Sequence, residues 1–207
     1  MTTLKSIYTN KLVRGSIWFL IRLYLGYEWL NAALEKLGKD SAVWVGAKAG
    51  TGVKGFLGYA VSPAMTGGDH PSVLNWYAWL VNHVFLPNAT VFSYLVAYGE
   101  LLIGIAIILG LFTRFTVFFA AFLNLNFMLA GSTGINVPMF TLELSMLLIG
   151  GTAGLIGVDY FIMPTVRKLA GRVFGRKVTE TAVAPEAAPA LLPIDKQRYI
   201  ESEHKVE

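Results

Sequence analysis

Two apolar runs stand back to back in the middle of the chain, 91–112 and 113–131, with Thr113 and Arg114 as the polar break between them. Each is about 20 residues, the length a helix needs to cross ~30 Å of hydrocarbon, so the pattern predicts a transmembrane hairpin. A third run, 16–37, precedes the hairpin, and a fourth, 138–161, follows it across the uncharged turn 132–137. Within 16–37 the polar residues recur at helical steps in two stripes. Tyr24, Glu28, Asn31 and Glu35 form one, and Arg22, Trp29 and Lys36 the other.

Between the first two runs lies an insert, 38–88, too rich in Gly and Lys to enter lipid and too rich in Trp and Tyr to be a bare linker. Its segment 72–86, bounded by Pro71 and Pro87, reads as a helix with Trp76, Tyr77 and Trp79 at its centre. Such rings favour the headgroup layer, so this helix is expected to lie on the membrane surface. A second helical piece is expected at 48–60, and Asn88 is placed as the N-cap of the run that follows. Small residues at Gly150, Gly151, Gly154 and Gly157 favour close helix packing in the fourth run. After Pro164 the chain turns basic, and beyond Val178 its Ala/Pro/Glu-rich composition cannot bury enough apolar area to fold.

The fold class expected is therefore all-α. It is an integral membrane four-helix bundle over 16–164, with an extracytoplasmic aromatic-rich insert between the first two spans, a short N-terminus (1–15) and a basic, then disordered tail (165–207). Composition agrees: 55% of residues are hydrophobic and only 14% charged, a balance that a water-soluble domain does not carry. A net charge of +4 would suit nucleic acid, but Lys and Arg gather at the ends of the apolar runs instead of along one stripe, so nucleic acid is not an expected partner. Lys5, Lys11, Arg14, Arg114 and the basic run from Arg167 to Lys177 share one side if both termini are cytoplasmic. That asymmetry predicts a multi-pass plasma-membrane protein with the insert outside.

Candidate chemistry comes from the polar residues inside the runs. At ~1.5 Å per residue, Glu28 and Glu100 come out level, about 14 Å below the outer face, with Asn124, Asn126 and Glu143 at about 8 to 10 Å and Arg22 deeper, at about 22 Å. Glu28 and Arg22 are poor partners within one helix, so Arg22 is expected to pair with Glu100 or Glu143 from another. Asn124 and Asn126 point to different sides of their helix, and Asn124 is the one assigned to the bundle interior. Ionisable groups at such depth are costly and commonly line a pathway or a site. No cysteine is present, which excludes thiolate metal sites, iron-sulfur clusters and thiol redox chemistry in this chain. The three histidines lie outside the apolar runs, so no haem between helices and no metal site are expected, and the chain carries no flavin motif.

Arg22, Gly26, Trp29, Leu30 and Lys36-Leu37 resemble the first-span signature of DoxX-type membrane proteins. Gly99-Glu100, Gly104, Leu109-Gly110 and Thr113-Arg114 are similar to the second, and Asn124 through Gly131 to the third. Ala33 stands where the family often has Gly. The long insert most resembles the DoxD branch, the larger subunit of thiosulfate:quinone oxidoreductase. The resemblance implies oxidation of thiosulfate to tetrathionate with electrons passed to membrane quinone, and a small DoxA-like subunit or soluble redox partner. Under that reading Glu100, Glu28 and Arg22 are the catalytic candidates. Asn124, Glu143, Tyr24, Trp29 and Lys36 are candidates for binding substrate or quinone. The alternative is a non-catalytic membrane scaffold that docks soluble redox or sulfur-handling enzymes. Transport is disfavoured, because the sequence carries neither internal repeats nor paired broken helices.

Overall fold

A computed structural model describes residues 11–149, 153–154 and 156–173. The chain divides into two units, Met1–Val166 and Arg167–Glu207, and the ring of long helices belongs to the first. The expected N-terminal segment up to residue 10, Gly150, Gly151 and the tail from residue 174 lie outside the described residues.

Every regular element among the described residues is helical. The long helices are α1 (Lys11–Leu37), α6 (Ala89–Leu109), α7 (Thr113–Leu129) and α8 (Asn136–Ile149), and the insert contributes α2 (Ser41–Trp44), α3 (Thr51–Ala60), α4 (Pro63–Thr66) and α5 (Asn75–Leu80). A π-helical turn, Val81–Phe85, extends α5, and α9 (Asp159–Val173) follows α8. Helix α1 packs along α6, α7 packs along α8, and contacts of α6 with α7 and of α1 with α8 close the ring. Among the described residues α6 alone is both long and apolar enough to cross a bilayer by itself, while α7 and α8 are shorter apolar helices.

The α1–α6 seam follows from small residues at matched heights. A Cβ on Gly26 would meet the Gly104 carbonyl and the Ile108 backbone, and one on Gly104 would meet the Leu30 backbone, so the two helices touch nearly backbone to backbone. On α1 the inward stripe is Arg22, Leu25, Gly26, Trp29 and Ala33, while Tyr24, Tyr27, Asn31 and Leu34 face outward. Leu25, Trp29, Ile103, Ile107, Val117, Ala120, Met139 and Met146 form the core of the ring.

Three expectations change. Helix α8 is described as far as Ile149, and the described residues 153–154 and 156–158 are not helical, so no single helix runs from 138 to 161; α9 begins at Asp159 and continues through Pro164. Gly disfavours a helix interior by about 1 kcal/mol relative to Ala, and Gly154 and Gly157 both fall in this non-helical stretch. The insert is also a packed cap. Val53, Leu57, Ala60, Val73, Tyr77 and Val81 form their own core against Ala89 and Ala130, so Tyr77 is buried while Trp76 and Trp79 stay exposed. Finally, Asn88 occupies the N-cap position of α6, but its side chain donates backwards to the Val84 carbonyl at 2.8 Å and caps nothing.

Candidate functional site

The last turn of α1 brings Lys36 over the insert end of the ring, where its ammonium lies 2.8 Å from Oε2 of Glu100 on the buried face of α6. Glu100 is 1% exposed and the Lys36 side chain 16%. The ammonium also donates to the Ala32 carbonyl at 3.3 Å and sits 5.0 Å from the centre of the Trp44 ring. A cation in the final turn of a helix answers the unpaired carbonyls there, and the aromatic face adds to that attraction.

This pair borders a cleft of about 350 Å³. Glu28, Asn31 and Glu35 line its α1 side, Ser132, Ile135, Asn136 and Met139 the side before and along α8, and Trp44, Phe56 and Phe127 are aromatic walls. Glu28 is half-buried, and Asn31 and Glu35 are exposed. Three carboxylates against one ammonium make the lining net acidic.

Trp29 also lines the cleft, and behind it stands a second buried carboxylate. The Trp29 indole Nε1 donates to Glu143 Oε1 at 2.8 Å, and Asn124 Nδ2 donates to Glu143 Oε2 at 3.1 Å. Glu143 and Asn124 are both fully buried. Among the described residues Asn124 Oδ1 has no hydrogen-bond partner. Asn126 is turned the other way, where its carbonyl accepts from the Tyr77 hydroxyl at 2.9 Å.

Glu28, Trp29, Lys36 and Glu100 thus share one cleft, with Glu143 and Asn124 directly behind it. Arg22 and Tyr24 do not line it. Tyr24 is 38% exposed on the outward face of α1. Arg22 pairs with neither Glu100 nor Glu143. Its Nε donates to the Ile107 carbonyl (2.9 Å), Nη1 to Ala153 and Ile156 (2.8 and 2.6 Å), and Nη2 to Ile108 (3.0 Å). These carbonyls belong to the C-terminal end of α6 and to the turn after α8, so the rigid guanidinium fork ties three segments together.

The carboxylate acting on Arg22 is Asp159, which sequence reading passed over. It accepts from the Phe112 and Thr113 amides at 2.6 and 2.7 Å, capping the N-terminus of α7. Phe112 has φ +46°, a backbone state that costs an L residue about 1–2 kcal/mol and that these two charged hydrogen bonds offset. The signal available in the sequence was an acid following the Gly-rich turn at Gly157, where helices often begin. The aromatic walls Trp44 and Phe56 were also missed, since nothing local in the insert marks which rings turn inward.

The sequence pattern of the DoxX family matches residues 17–133, more than half of the chain. The chain belongs to the DoxX family. No curated protein and no solved structure matches it. The DoxX match contains Glu28, Trp29, Lys36, Glu100 and Asn124, whereas Glu143 and Asp159 lie beyond it. As a DoxX domain the ring of helices is membrane-associated, in keeping with the outward-facing Leu95, Leu102, Phe115, Phe118 and Phe122 of α6 and α7.

Proposed function

We propose that this DoxX protein is the membrane subunit of a quinone-linked oxidoreductase, with the cleft at Lys36 and Glu100 holding the quinone head. The observation that carries this reading is the ion pair itself: a carboxylate 1% exposed and a lysine beside it, both at a cavity large enough for a small ring. Taking two charges out of water costs several kcal/mol each, and a hydrophobic pair of equal size is commonly as stable, so the pair is better explained by use than by packing. Reduction of a quinone takes up two electrons and two protons. Lys36 supplies a hydrogen-bond donor for a quinone oxygen, and Glu100, with Glu28 nearer the mouth, provides carboxylates through which protons exchange.

The electron donor in this reading is thiosulfate. Two thiosulfate ions join through a new S–S bond to give tetrathionate and release two electrons. The net acidic lining repels such an anion, whereas a neutral quinone is not penalised. Thiosulfate oxidation is therefore assigned outside the cleft, to a small DoxA-like subunit or a soluble partner. The proposal places the ring in the plasma membrane, with α1, α7 and α8 crossing beside α6, the insert outside and both termini in the cytoplasm.

Purified protein reconstituted with a short-chain quinone should reduce it when thiosulfate and the co-purifying partner are both supplied. Quinone that neither binds nor is reduced under those conditions would instead support the scaffold reading.

A further inference from the structure

The cleft shares its aromatic walls with a second cavity. Trp44, Phe56 and Phe127 border both, and beyond them lies a chamber of about 210 Å³ between α3 above and the facing sides of α6 and α7. Its surface is nearly all hydrocarbon, from Val53, Leu57, Phe92, Val96, Phe122 and Leu123 among others. Two polar side chains reach it, and both are already engaged. The Tyr77 hydroxyl donates to the Asn126 carbonyl at 2.9 Å, and Asn126 Nδ2 donates to the Phe122 carbonyl at 2.8 Å. So little polar surface faces the chamber that it suits an apolar ligand.

The chamber lies at one of the two looser seams of the ring, α1 against α8 being the other. Helices α6 and α7 touch far more sparsely than α1 with α6 or α7 with α8. Phe92 and Val96 are half-buried and Phe122 is 56% exposed, beside the outward-facing Leu95, Phe118, Phe119 and Leu125. The mouth therefore opens onto the apolar outer face of α6 and α7. Phe127 stands at the divide, edge-on to Phe56 (ring centres 6.0 Å apart) and tilted on Trp29 of the cleft (6.5 Å).

We propose that the chamber binds the isoprenoid tail of an amphiphile whose head sits in the cleft, and that this molecule enters sideways from the lipid between α6 and α7. The inference rests on the cleft being the head-group site. It adds a ligand requirement that the cleft alone does not impose: a polar ring for one cavity and a hydrocarbon chain for the other, joined across the Phe56 and Phe127 contact.

The test compares binding of a benzoquinone without a tail and the same ring with a two-isoprene tail, to wild type and to Val96→Phe, by quenching of tryptophan fluorescence in detergent. Partition of the tail into micelles raises its apparent affinity for both proteins alike, so the comparison between proteins carries the result. Wild type should prefer the tailed quinone about tenfold more strongly than Val96→Phe does. Equal preference in the two proteins, with the tailless ring still bound, overturns the chamber and leaves the cleft reading standing. Failure of both quinones to bind wild type overturns both. Should Val96→Phe not fold, a diazirine at the end of the tail, photolysed in wild type, should label Phe92, Val96 or Leu123. Labelling confined to outward residues such as Leu102 and Phe115 contradicts the chamber.

Discussion

The indole of Trp29 and the carboxylate of Glu143 meet at 2.8 Å between α1 and α8, fully enclosed by the ring. Removing the donor leaves Glu143 with Asn124 alone, and a buried carboxylate short of one hydrogen bond costs about 1–3 kcal/mol. Trp29→Phe should therefore lower thermal stability, and Trp29→Phe combined with Glu143→Gln should lower it by less than the sum of the single changes, with a coupling of about 1 kcal/mol or more. Additive losses in the two single variants and the double variant would show that the contact contributes nothing of its own.

Arg22 is a clasp in this structure, so its replacement should act on stability before chemistry. Lys carries one point charge and cannot reach the four carbonyls that the guanidinium fork serves. Arg22→Lys should melt several degrees lower, and so should Gly157→Ala, whose new methyl would press on the guanidinium at about 3.1 Å. Arg22→Lys with unchanged melting and lost turnover would return Arg22 to the catalytic role that its depth in the first helix suggests.

Helical periodicity made the architecture legible and left the pairing open. The apolar runs 91–112 and 113–131 fall close to α6 and α7, because an unbroken run with one polar break admits few other readings. The two stripes on α1 were also legible, yet they lie on neighbouring faces, and periodicity does not say which one turns inward. The structure turns Arg22 and Trp29 in and leaves Tyr24, Asn31 and Glu35 exposed. Glu28 and Glu100 were read as level, and both line the cleft. Depth along single helices missed that Lys36 reaches Glu100 and that Arg22 finds carbonyls, since those partners depend on how α1, α6 and the turn after α8 are offset.

Burial pushes the Tyr77 phenol up to about 12, against about 10 in an unfolded chain. The unfolded chain thus loses its proton first, so the contribution of the neutral phenol is complete below pH ~10 and is lost as pH climbs towards about 12. Melting temperature should be level up to about pH 9.5 and then fall. Tyr77→Phe should be less stable by about 1 kcal/mol at neutral pH, from the lost bond to Asn126, and should fall less steeply in alkali. Parallel alkaline declines in both proteins would assign the loss to other groups.

The proposed topology separates the insert from α9. Single cysteines at Lys54 and Arg172, introduced into a chain that has none, should be labelled by a membrane-impermeant maleimide from opposite sides of the membrane. Labelling of both from one side contradicts a ring in which all four long helices cross.

In the proposed function the carboxylate beside Lys36 moves protons for a bound quinone. Glu100→Gln keeps the shape of the side chain and a hydrogen-bonding group near the ammonium but cannot exchange a proton. The decisive measurement is steady-state quinone reduction by wild type and Glu100→Gln, with the same electron-donating partner and with folding of both confirmed by melting. Glu100→Gln should fold, bind quinone and turn over about 100-fold more slowly or worse. A well-folded Glu100→Gln protein with wild-type turnover would contradict it.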